Sequence, residues 1–312
     1  MEISILLAEQ ILAMFLTMAV GFGVVRAGLF KTEDSRIISN MVVYICNPCV
    51  VVHSFQIELT DDKIKGLMIA IGLSVVVHMV LIIGSEILSF IFHFNSIEKA
   101  SIIYTNAGYL VIPLVGAVLG EEWVFYTTAF ILVQTVLMWT HGVKLIGQEK
   151  ELNIRKILCN PNVIAMIIGI ALFALEIRLP TVVDSCVSGF GDMISPASMM
   201  VIGMVIGDVD LKWVFRQKRP YLICLLRLIV FPLIAVVAFA GLERSGIHPD
   251  AEYILMIVLI ATSAPAAAMI TQLAQIYGKD SRYASVINVM SVIFCIITMP
   301  VMVQSYEMLI AL

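Results

Sequence analysis

Two hydrophobic stretches of this sequence place small polar residues a few positions from a proline. One contains Thr262, Ser263 and Pro265, and the other contains Asn106 and Pro113. Proline removes a backbone donor and clashes with the carbonyl four residues earlier, so a helix is predicted to break or kink in each stretch. In hydrocarbon, the amides freed by a break are satisfied only by protein or by a watery cavity. The predicted chemistry is therefore the binding of an anion at the N-terminal end of a half-helix.

Each of these polar side chains also has a structural alternative. Asn106 could donate its amide to a carboxylate, or it could cap the backbone freed by the break. Thr262 and Ser263 could contact the same ligand, or their hydroxyls could bond back to their own helix. Asn47 precedes Pro48 in another apolar stretch, where it either contacts ligand or satisfies a kink. A proline kink filled by ordinary packing is the alternative for the whole feature.

Arg227 is the only basic residue placed well inside an apolar stretch. If that span begins near Pro220, seven residues at about 1.5 Å each put the Arg227 Cα roughly 10 Å deep. A charge at that depth indicates function, through substrate binding or an ion pair, because desolvating it without a partner is costly. The alternative is that the side chain snorkels to the nearer aqueous face.

The acidic and histidine residues inside apolar stretches are candidates for carrying a coupling proton. His53, Glu9 and Asp192 are the main candidates, and Glu86 and His78 share the same setting. Histidine changes its charge near neutral pH, which suits a proton relay. A hydrogen-bonded structural role is the alternative for each residue taken singly.

The composition is that of an integral membrane protein. Of 312 residues, 61% are hydrophobic and 13% are charged, and the mean hydropathy is +1.02. An ordinary soluble domain is far less apolar, so the predicted surroundings are a lipid bilayer. The net charge of −4 is too small to indicate a nucleic-acid partner. No basic residue precedes Arg26, so residues 4–25 are predicted to be a retained first span rather than a secretory signal peptide.

The sequence carries no recognisable catalytic or metal-binding pattern. It lacks a P-loop, a Rossmann fingerprint, a zinc-protease motif and a nucleophile elbow. Cys46 and Cys49 have the spacing of a redox pair, but no βαβ pattern surrounds them, so apolar packing is the preferred interpretation. We therefore predict that the protein is not an enzyme and that it uses no cofactor and no metal.

Hydropathy and turn signals predict an all-α fold with ten transmembrane helices. Their approximate ranges are 4–25, 37–57, 67–91, 101–119, 124–146, 161–178, 187–207, 220–241, 251–276 and 284–308. The predicted domains are a first five-helix repeat over residues 1–146, a short cytoplasmic loop over 147–160, and a second five-helix repeat over 161–312.

Basic residues are distributed unequally between the loops on the two sides. The loops after the odd-numbered spans hold fourteen of them and the opposite side holds four, while Arg227 falls within a span. Because cytoplasmic loops carry the excess of Lys and Arg, both termini are predicted to lie outside. With five spans in each half, the two repeats must then be inverted relative to each other.

Weak internal similarity supports that inversion. Asn47-Pro48 in span 2 has a counterpart in Ser195-Pro196 of span 7, and residues 105–108 of span 4 correspond to residues 262–265 of span 9. Interrupted helices at matching positions in two inverted halves are typical of the binding site of a secondary transporter. Helices 4 and 9 are therefore predicted to be broken and to cross at mid-membrane.

At these residues the sequence resembles the auxin efflux carrier family, which includes plant auxin exporters and bacterial permeases for malate and other organic acids. The resemblance covers essentially the whole chain. Its most specific parts are Asn47-Pro48, the spacing from Asn106 to Pro113 and residues 262–277, and residues 134–140 also look like the family. The resemblance implies ten helices and a carboxylate held near the crossing of helices 4 and 9.

The sequence departs from the plant exporters of that family in two ways. It lacks their long hydrophilic loop between spans 5 and 6, and it has Ala266 and Ile270 where the plant pattern has a polar residue and a second proline. The short loop favours a bacterial-type member of the family and argues against auxin itself as the substrate.

The predicted function is a secondary transporter, or permease, for small organic anions that works by alternating access. The predicted substrate-binding residues are Asn47, Asn106, Gly108, Pro113, Gln134, Arg227, Thr262, Ser263 and Pro265. Coupling to protons or sodium is assigned to His53, Glu9 and Asp192. The alternatives are a sodium-coupled symporter resembling the bile-acid symporters and a non-transporting membrane sensor with the same fold. The predicted location is the plasma or inner membrane, with a homodimer as a candidate assembly.

Overall fold

The computed structural model describes residues 2–147, 155, 158–207 and 209–311, and helix is the only regular secondary structure among them apart from one isolated β-bridge. In the first half the helices are α1 (Glu2–Arg26), α2 (Ser35–Met41), α3 (Asn47–Ser54), α4 (Asp61–Phe92), α5 (Ser96–Ile103), α6 (Ala107–Val118), α7 (Val124–Leu137) and α8 (Val143–Gly147). Most of the predicted loop 147–160, including Lys150 and Lys156, lies outside the described residues.

The second half of the chain is also built from helices of different lengths. They are α9 (Pro161–Ala174), α10 (Thr181–Asp192), α11 (Ile194–Gly207), α12 (Leu211–Arg216), α13 (Arg219–Leu225), α14 (Phe231–Glu243), α15 (Ala251–Ser263), α16 (Ala268–Ile276) and α17 (Ser281–Ile310). Each of the ten ranges predicted from hydropathy contains helix.

Six continuous stretches of the described chain are long and apolar enough to cross a bilayer. They are Thr32–Ser54, Asp61–Phe92, Glu121–Gly147, Thr181–Gly207, Arg219–Glu243 and Ser281–Ile310. Leu12–Arg26, Pro161–Ala174 and Ala251–Ser263 are shorter apolar helices. Large apolar side chains such as Leu16, Phe90 and Val182 are exposed on the outer surface, which suits contact with lipid tails. The prediction of an all-α, multi-pass membrane protein is confirmed.

The helix starts follow from the residues that cap them. The Thr60 side chain accepts a hydrogen bond from the Lys63 amide at 3.2 Å at the start of α4. Asn95 and Glu98 form a capping box at the start of α5, with both hydrogen bonds at 2.9 Å. Such caps satisfy amides that have no partner within the first helical turn.

Two of the long stretches widen into a π-helical turn just before a proline. The turn Val42–Cys46 precedes Pro48 at the start of α3, and the turn Leu226–Val230 precedes Pro232 at the start of α14. A proline ring collides with the carbonyl four residues earlier, and one wider turn moves that carbonyl away. Arg227 lies in the second of these turns, which sets the direction in which its side chain leaves the helix.

The helices α1 and α11 pack together through glycine. A Cβ atom added at Gly203 would collide with the carbonyl oxygen of Met18, and one added at Gly21 would collide with that of Met200. Such close approach of two backbones replaces the hydrophobic driving force that helices lack in lipid. Helix α1 also contacts α6 and α17, and α11 contacts α6.

Candidate functional site

Two helices of the protein break, and the breaks face each other. The first break, residues 104–106, separates α5 from α6, and the second, residues 264–267, separates α15 from α16. An isolated antiparallel β-bridge pairs Thr105 of the first break with Ala266 of the second. The helix α15 has 13 residues, which span about 20 Å, less than the roughly 30 Å of a hydrocarbon core. A helix of that length ends before it has crossed the membrane, and α5, with eight residues, is shorter still. Both breaks are therefore expected to lie within the hydrocarbon region.

Backbone hydrogen bonds hold the two breaks together. The Asn106 amide donates to the Pro265 carbonyl at 2.8 Å, and the Ala267 amide donates to the Tyr104 carbonyl at 3.0 Å. These bonds use donors and acceptors that a continuous helix would have consumed. The two breaks are thus joined by their own backbone groups, and we call residues 104–106 and 264–267 the crossover.

Gln134 of α7 satisfies the centre of the first break. Its Oε1 atom accepts hydrogen bonds from the Thr105 amide at 2.8 Å and from the Thr105 hydroxyl at 2.9 Å, and its Nε2 atom donates to the Thr105 carbonyl at 2.9 Å. The side chain thereby replaces both backbone partners that Thr105 loses at the break. Gln134 was predicted from its resemblance to bind substrate, and the structure places it as a support of the crossover that also borders a cavity.

The second break receives the same support from α17. The Asn288 Nδ2 atom donates to the Ala266 carbonyl at 2.6 Å, and the Ser291 hydroxyl accepts from the Ala266 amide at 3.1 Å. Each break is therefore held by polar side chains of the next long helix in the chain. Sequence reasoning missed Asn288 and Ser291, although two polar residues three positions apart on one face of an apolar helix were a usable signal.

Arg227 of the π-helical turn before α14 reaches both broken helices. Its Nε atom donates to the Ala264 carbonyl at 3.2 Å, and its Nη1 atom donates to the Ile102 carbonyl at 3.1 Å. The side chain is 0% exposed, so it does not snorkel to a surface. Ile102 lies in the last turn of α5 and Ala264 caps α15, so the guanidinium sits at two helix C-termini.

A cavity of about 160 Å³ opens beside the crossover, on the side of the new helix starts. It borders the first residues of α6 and α16, at Gly108 and Ala268. Seven amide side chains line it, namely Asn40, Asn47, Asn106, Gln134, Asn160, Asn162 and Gln272, together with the aromatic rings of Tyr44 and Trp139. None of the described residues that line this cavity carries a formal charge. We call it the amide cavity.

Asn106, Asn47 and Gly108 form one wall of the amide cavity. Asn106 precedes α6, but its side chain makes no capping hydrogen bond to that helix, so the structural alternative of a cap does not describe it. Asn47 is buried, and its Oδ1 atom has no hydrogen-bond partner among the described residues. A Cβ atom added at Gly108 would lie 3.2 Å from Asn47 Nδ2, so glycine lets the Asn47 amide lie directly against the α6 backbone.

Thr262 and Ser263 do not line the amide cavity. The Thr262 hydroxyl donates to the Val258 carbonyl at 2.7 Å, which is the back-bonding alternative to ligand contact. Both residues are buried in the last turn of α15, at the helix C-terminus that precedes the break. Pro265 lies in the crossover, where it lines a small apolar space of about 30 Å³ with Met199 and Cys295.

Contrary to the prediction, Pro113 does not break span 4. It lies inside α6, which continues through it to Val118, and the break comes at residues 104–106 instead. A single proline is tolerated within a membrane helix when the surrounding protein satisfies the freed carbonyl. The break is fixed by the pairing with Pro265 and by Gln134, neither of which is local in sequence.

Pro113 lies instead beside a second cavity of about 410 Å³, which residues of α3 and α6 both line. His53 and Asp192, two of the coupling candidates, also line it. His53 Nδ1 is 2.9 Å from Asp184 Oδ1, which joins α3 to α10. Glu121, Glu122 and Asp184 add further carboxyl groups, so we call this space the acidic cavity.

The other ionisable candidates lie outside both cavities. Glu9 is exposed on α1. Glu86 forms an ion pair of 2.7 Å with Lys99, and the His78 ring bonds to the Ser74 carbonyl of its own helix at 2.7 Å. These contacts agree with a hydrogen-bonded structural role for Glu86 and His78, which was the alternative to proton coupling.

A further polar cluster, missed in the sequence, positions the start of α5. The buried Glu98 accepts hydrogen bonds from Arg219 Nε at 2.6 Å and from the Tyr283 hydroxyl at 2.7 Å. Arg219 also donates to the carbonyls of Phe92 and His93, at 2.7 and 3.0 Å. Three elements distant in sequence meet here, so the first half of broken span 4 is fixed at both of its ends.

A family model described as membrane transport protein matches the chain over residues 6–154 and 149–303. No curated protein matches the chain. The family match therefore covers nearly the whole of the chain, including both breaks and the residues that support them.

Proposed function

Because the chain belongs to the membrane transport protein family, that of the auxin efflux carriers, we propose that it is a secondary transporter for small organic anions such as malate and other carboxylates. The observation that carries this proposal is the amide cavity at the start of α6 and α16. It offers neutral hydrogen-bond donors at two helix N-termini without a charged side chain among the described residues that line it.

Two helix starts favour a carboxylate in that cavity. Each helix N-terminus carries roughly half a positive charge and amides with no partner inside the helix. The starts of α6 and α16 lie on either side of the crossover, at Asn106 and Ala267, which both line the cavity. A carboxylate there would be held by about one unit of positive charge, with Asn106 as a directional donor.

The neighbouring rings and amides would select the rest of the substrate. Tyr44 and Trp139 give the cavity an apolar border, while Asn47 and Asn162 each present a buried oxygen without a partner among the described residues. Amide groups can both donate and accept, so they suit small polar acids better than long apolar ones. A volume of about 160 Å³ favours a small substrate.

The proposed architecture is ten transmembrane helices in two inverted five-helix repeats, with helices 4 and 9 crossing at mid-membrane. This proposal is supported by the similar hydrogen bonding at the two breaks. The Gln134 side chain donates to the Thr105 carbonyl, and the Asn288 side chain donates to the Ala266 carbonyl. Each supporting side chain lies on the helix after the broken one. Both termini are proposed to lie outside a plasma or inner membrane, from the distribution of basic residues.

Alternating access would use the two cavities as the two ends of one route. Both lie along the contact of α3 with α6: Asn47 and Gly108 border the amide cavity, while His53 and Pro113 border the acidic cavity. In the proposed orientation the amide cavity opens toward the cytoplasm and the acidic cavity faces outward. Movement of the crossover past α3 would expose the carboxylate site to one cavity and then to the other.

The first test is a thermal-shift screen of the purified protein against a panel of small mono- and dicarboxylates. A true substrate should raise the melting temperature, since a ligand that binds only the folded state stabilises it. The best ligand should then enter proteoliposomes that contain the protein and not matched liposomes without it. Failure of every carboxylate to bind would contradict the proposal, and tight binding without uptake would identify a membrane sensor.

A further inference from the structure

The guanidinium of Arg227 is a full charge with no carboxylate partner. No described Asp or Glu lies within 4.0 Å of it, and its Nη2 atom is buried without a described hydrogen-bond partner. Burying an unpaired charge in this way is costly, so something else must compensate it. Among the described residues, the polar groups bonded to it are the carbonyls of Ile102 and Ala264.

Those two carbonyls belong to helix ends of negative polarity. The C-terminus of an α-helix carries roughly half a negative charge, and both α5 and α15 end at the crossover. Two such ends supply about one negative charge, which matches the single positive charge of the guanidinium. The positive charge of Arg227 is therefore compensated by the C-termini of α5 and α15, through the carbonyls of Ile102 and Ala264.

Half-helix C-termini and unwound carbonyls are also where carriers with broken helices coordinate a coupling cation. In this protein the carbonyls of the second break already have protein donors. Ser263 accepts from the Cys295 thiol at 3.6 Å, Ala264 from Arg227, Pro265 from the Asn106 amide, and Ala266 from Asn288.

The carbonyls of the first break are used in the same way. Ile102 accepts from Arg227, Tyr104 from the Ala267 amide, and Thr105 from Gln134. A sodium ion needs several oxygen ligands that converge on one point, as other hard cations do. Here the carbonyl oxygens named at the two breaks accept hydrogen bonds from protein donors instead.

We propose that the guanidinium of Arg227 is a built-in counter-cation for the two half-helix C-termini, occupying the place that a coupling sodium ion would need. The crossover then keeps its shape without bound sodium, and substrate movement is not coupled to sodium. With the C-terminal ends compensated, the two N-terminal ends at Asn106 and Ala267 keep their positive polarity for one carboxylate group. The statement about transport rests on the proposed function, whereas the statement about the fold of the crossover does not.

The decisive measurement is thermal unfolding of the purified protein without substrate. The melting temperature of the wild type should be the same in sodium chloride and in N-methyl-D-glucamine chloride of equal ionic strength. A rise with sodium would show a sodium site in the folded protein and would overturn the proposal.

The variant Arg227→Ala tests the role of the side chain. It should melt at a lower temperature than the wild type, and low millimolar guanidinium chloride should restore part of the loss by filling the vacated space. Arg244→Ala is the matched control, because Arg244 is exposed and donates to the Leu309 carbonyl at 2.8 Å. Its melting temperature should not rise with guanidinium. An Arg227→Ala protein as stable as the wild type would contradict the proposal.

If Arg227→Ala does not accumulate, Arg227→Lys is measured in its place. It keeps the charge with fewer donors and should melt at a lower temperature than the wild type, again without a sodium effect. In proteoliposomes, uptake by the wild type should not change when sodium is replaced, and a loss of about tenfold or more would overturn the proposal. If no carboxylate is taken up at all, the proposed function fails while the unfolding measurements still decide the role of Arg227.

Discussion

Gln134 and Thr105 are joined by three hydrogen bonds of 2.8–2.9 Å, which use both polar atoms of the Gln134 amide. This pair ties the first break to α7, as Asn288 and Ala266 tie the second break to α17. The crossover is consequently a fixed element rather than a flexible gap. A transporter that must move this region can do so by moving it together with the helices that support it.

Replacing Gln134 with Leu should lower the stability of the folded protein. The Thr105 amide and carbonyl would lose their partners while buried, at a cost of about 1–3 kcal/mol each. Thermal unfolding in detergent would measure the loss. Thr135→Ala, on the same helix and bordering the same cavity, is the control and should have little effect. Unchanged unfolding of Gln134→Leu would contradict the supporting role.

Replacing Asn106 with Ala should weaken substrate binding without unfolding the protein. The side chain lines the amide cavity and does not cap α6, so its loss removes a donor to the proposed carboxylate and little else. One hydrogen bond to a charged group corresponds to about 1.5–3 kcal/mol, or roughly a ten- to hundredfold rise in Kd. Titration with the cognate acid would measure this. Asn40→Ala, at the exposed edge of the cavity, should change Kd less. Wild-type affinity in Asn106→Ala would place the site elsewhere.

Replacing Gly108 with Ala should disturb substrate binding through Asn47. The new Cβ would lie 3.2 Å from Asn47 Nδ2, closer than ordinary contact, so the amide must move within the cavity. We expect a measurable rise in Kd for Gly108→Ala, and a smaller additional effect when Asn47 is already Ala. A double-mutant cycle measures this coupling. Additive effects of the two substitutions would mean that Gly108 does not act through Asn47.

Replacing Arg219 with Ala should destabilise the start of α5. Glu98 is 1% exposed and would lose its guanidinium partner, although the Tyr283 hydroxyl and the Asn95 amide remain bonded to it. Since the Arg219 side chain is itself half exposed, the expected loss is modest, about 1–2 kcal/mol. Thermal unfolding measures it, and the exposed Arg216→Ala serves as the control. If Arg219→Ala and Arg216→Ala unfold at the same temperature, the Arg219–Glu98 interaction does not stabilise the start of α5.

The sequence was sufficient to find the broken helices but not to find their exact partners. Asn106 and Pro265 stand out because polar residues and proline are conspicuous in apolar helices. Pro113 misled the prediction, because a proline alone does not say whether the surrounding protein satisfies the freed carbonyl. The position of the first break depends on Gln134, whose contact with Thr105 spans 29 residues of the chain.

The partners of Arg227 had no signal in the sequence at all. Its depth in an apolar span was visible, and a charged partner or substrate was the natural expectation. The structure pairs it with the carbonyls of Ile102 and Ala264, and every residue has a carbonyl. The cluster of Glu98 and Arg219 was missed for a related reason, since 121 residues separate the two in sequence.

The orientation of the chain can be tested with one of its own cysteines. The side chain of Cys159 is exposed in the predicted cytoplasmic loop, and in a chain whose other cysteines are replaced it should react with a membrane-impermeant maleimide only from the cytoplasmic side. Ser245→Cys in the same background is the matched control, because Ser245 is exposed in the loop between α14 and α15 and should react from outside. Five spans in each half place these positions on opposite sides. Labelling of Cys159 in intact cells would contradict the proposed orientation and, with it, the proposed direction of the two cavities, and labelling of both positions from the same side would contradict the arrangement of spans.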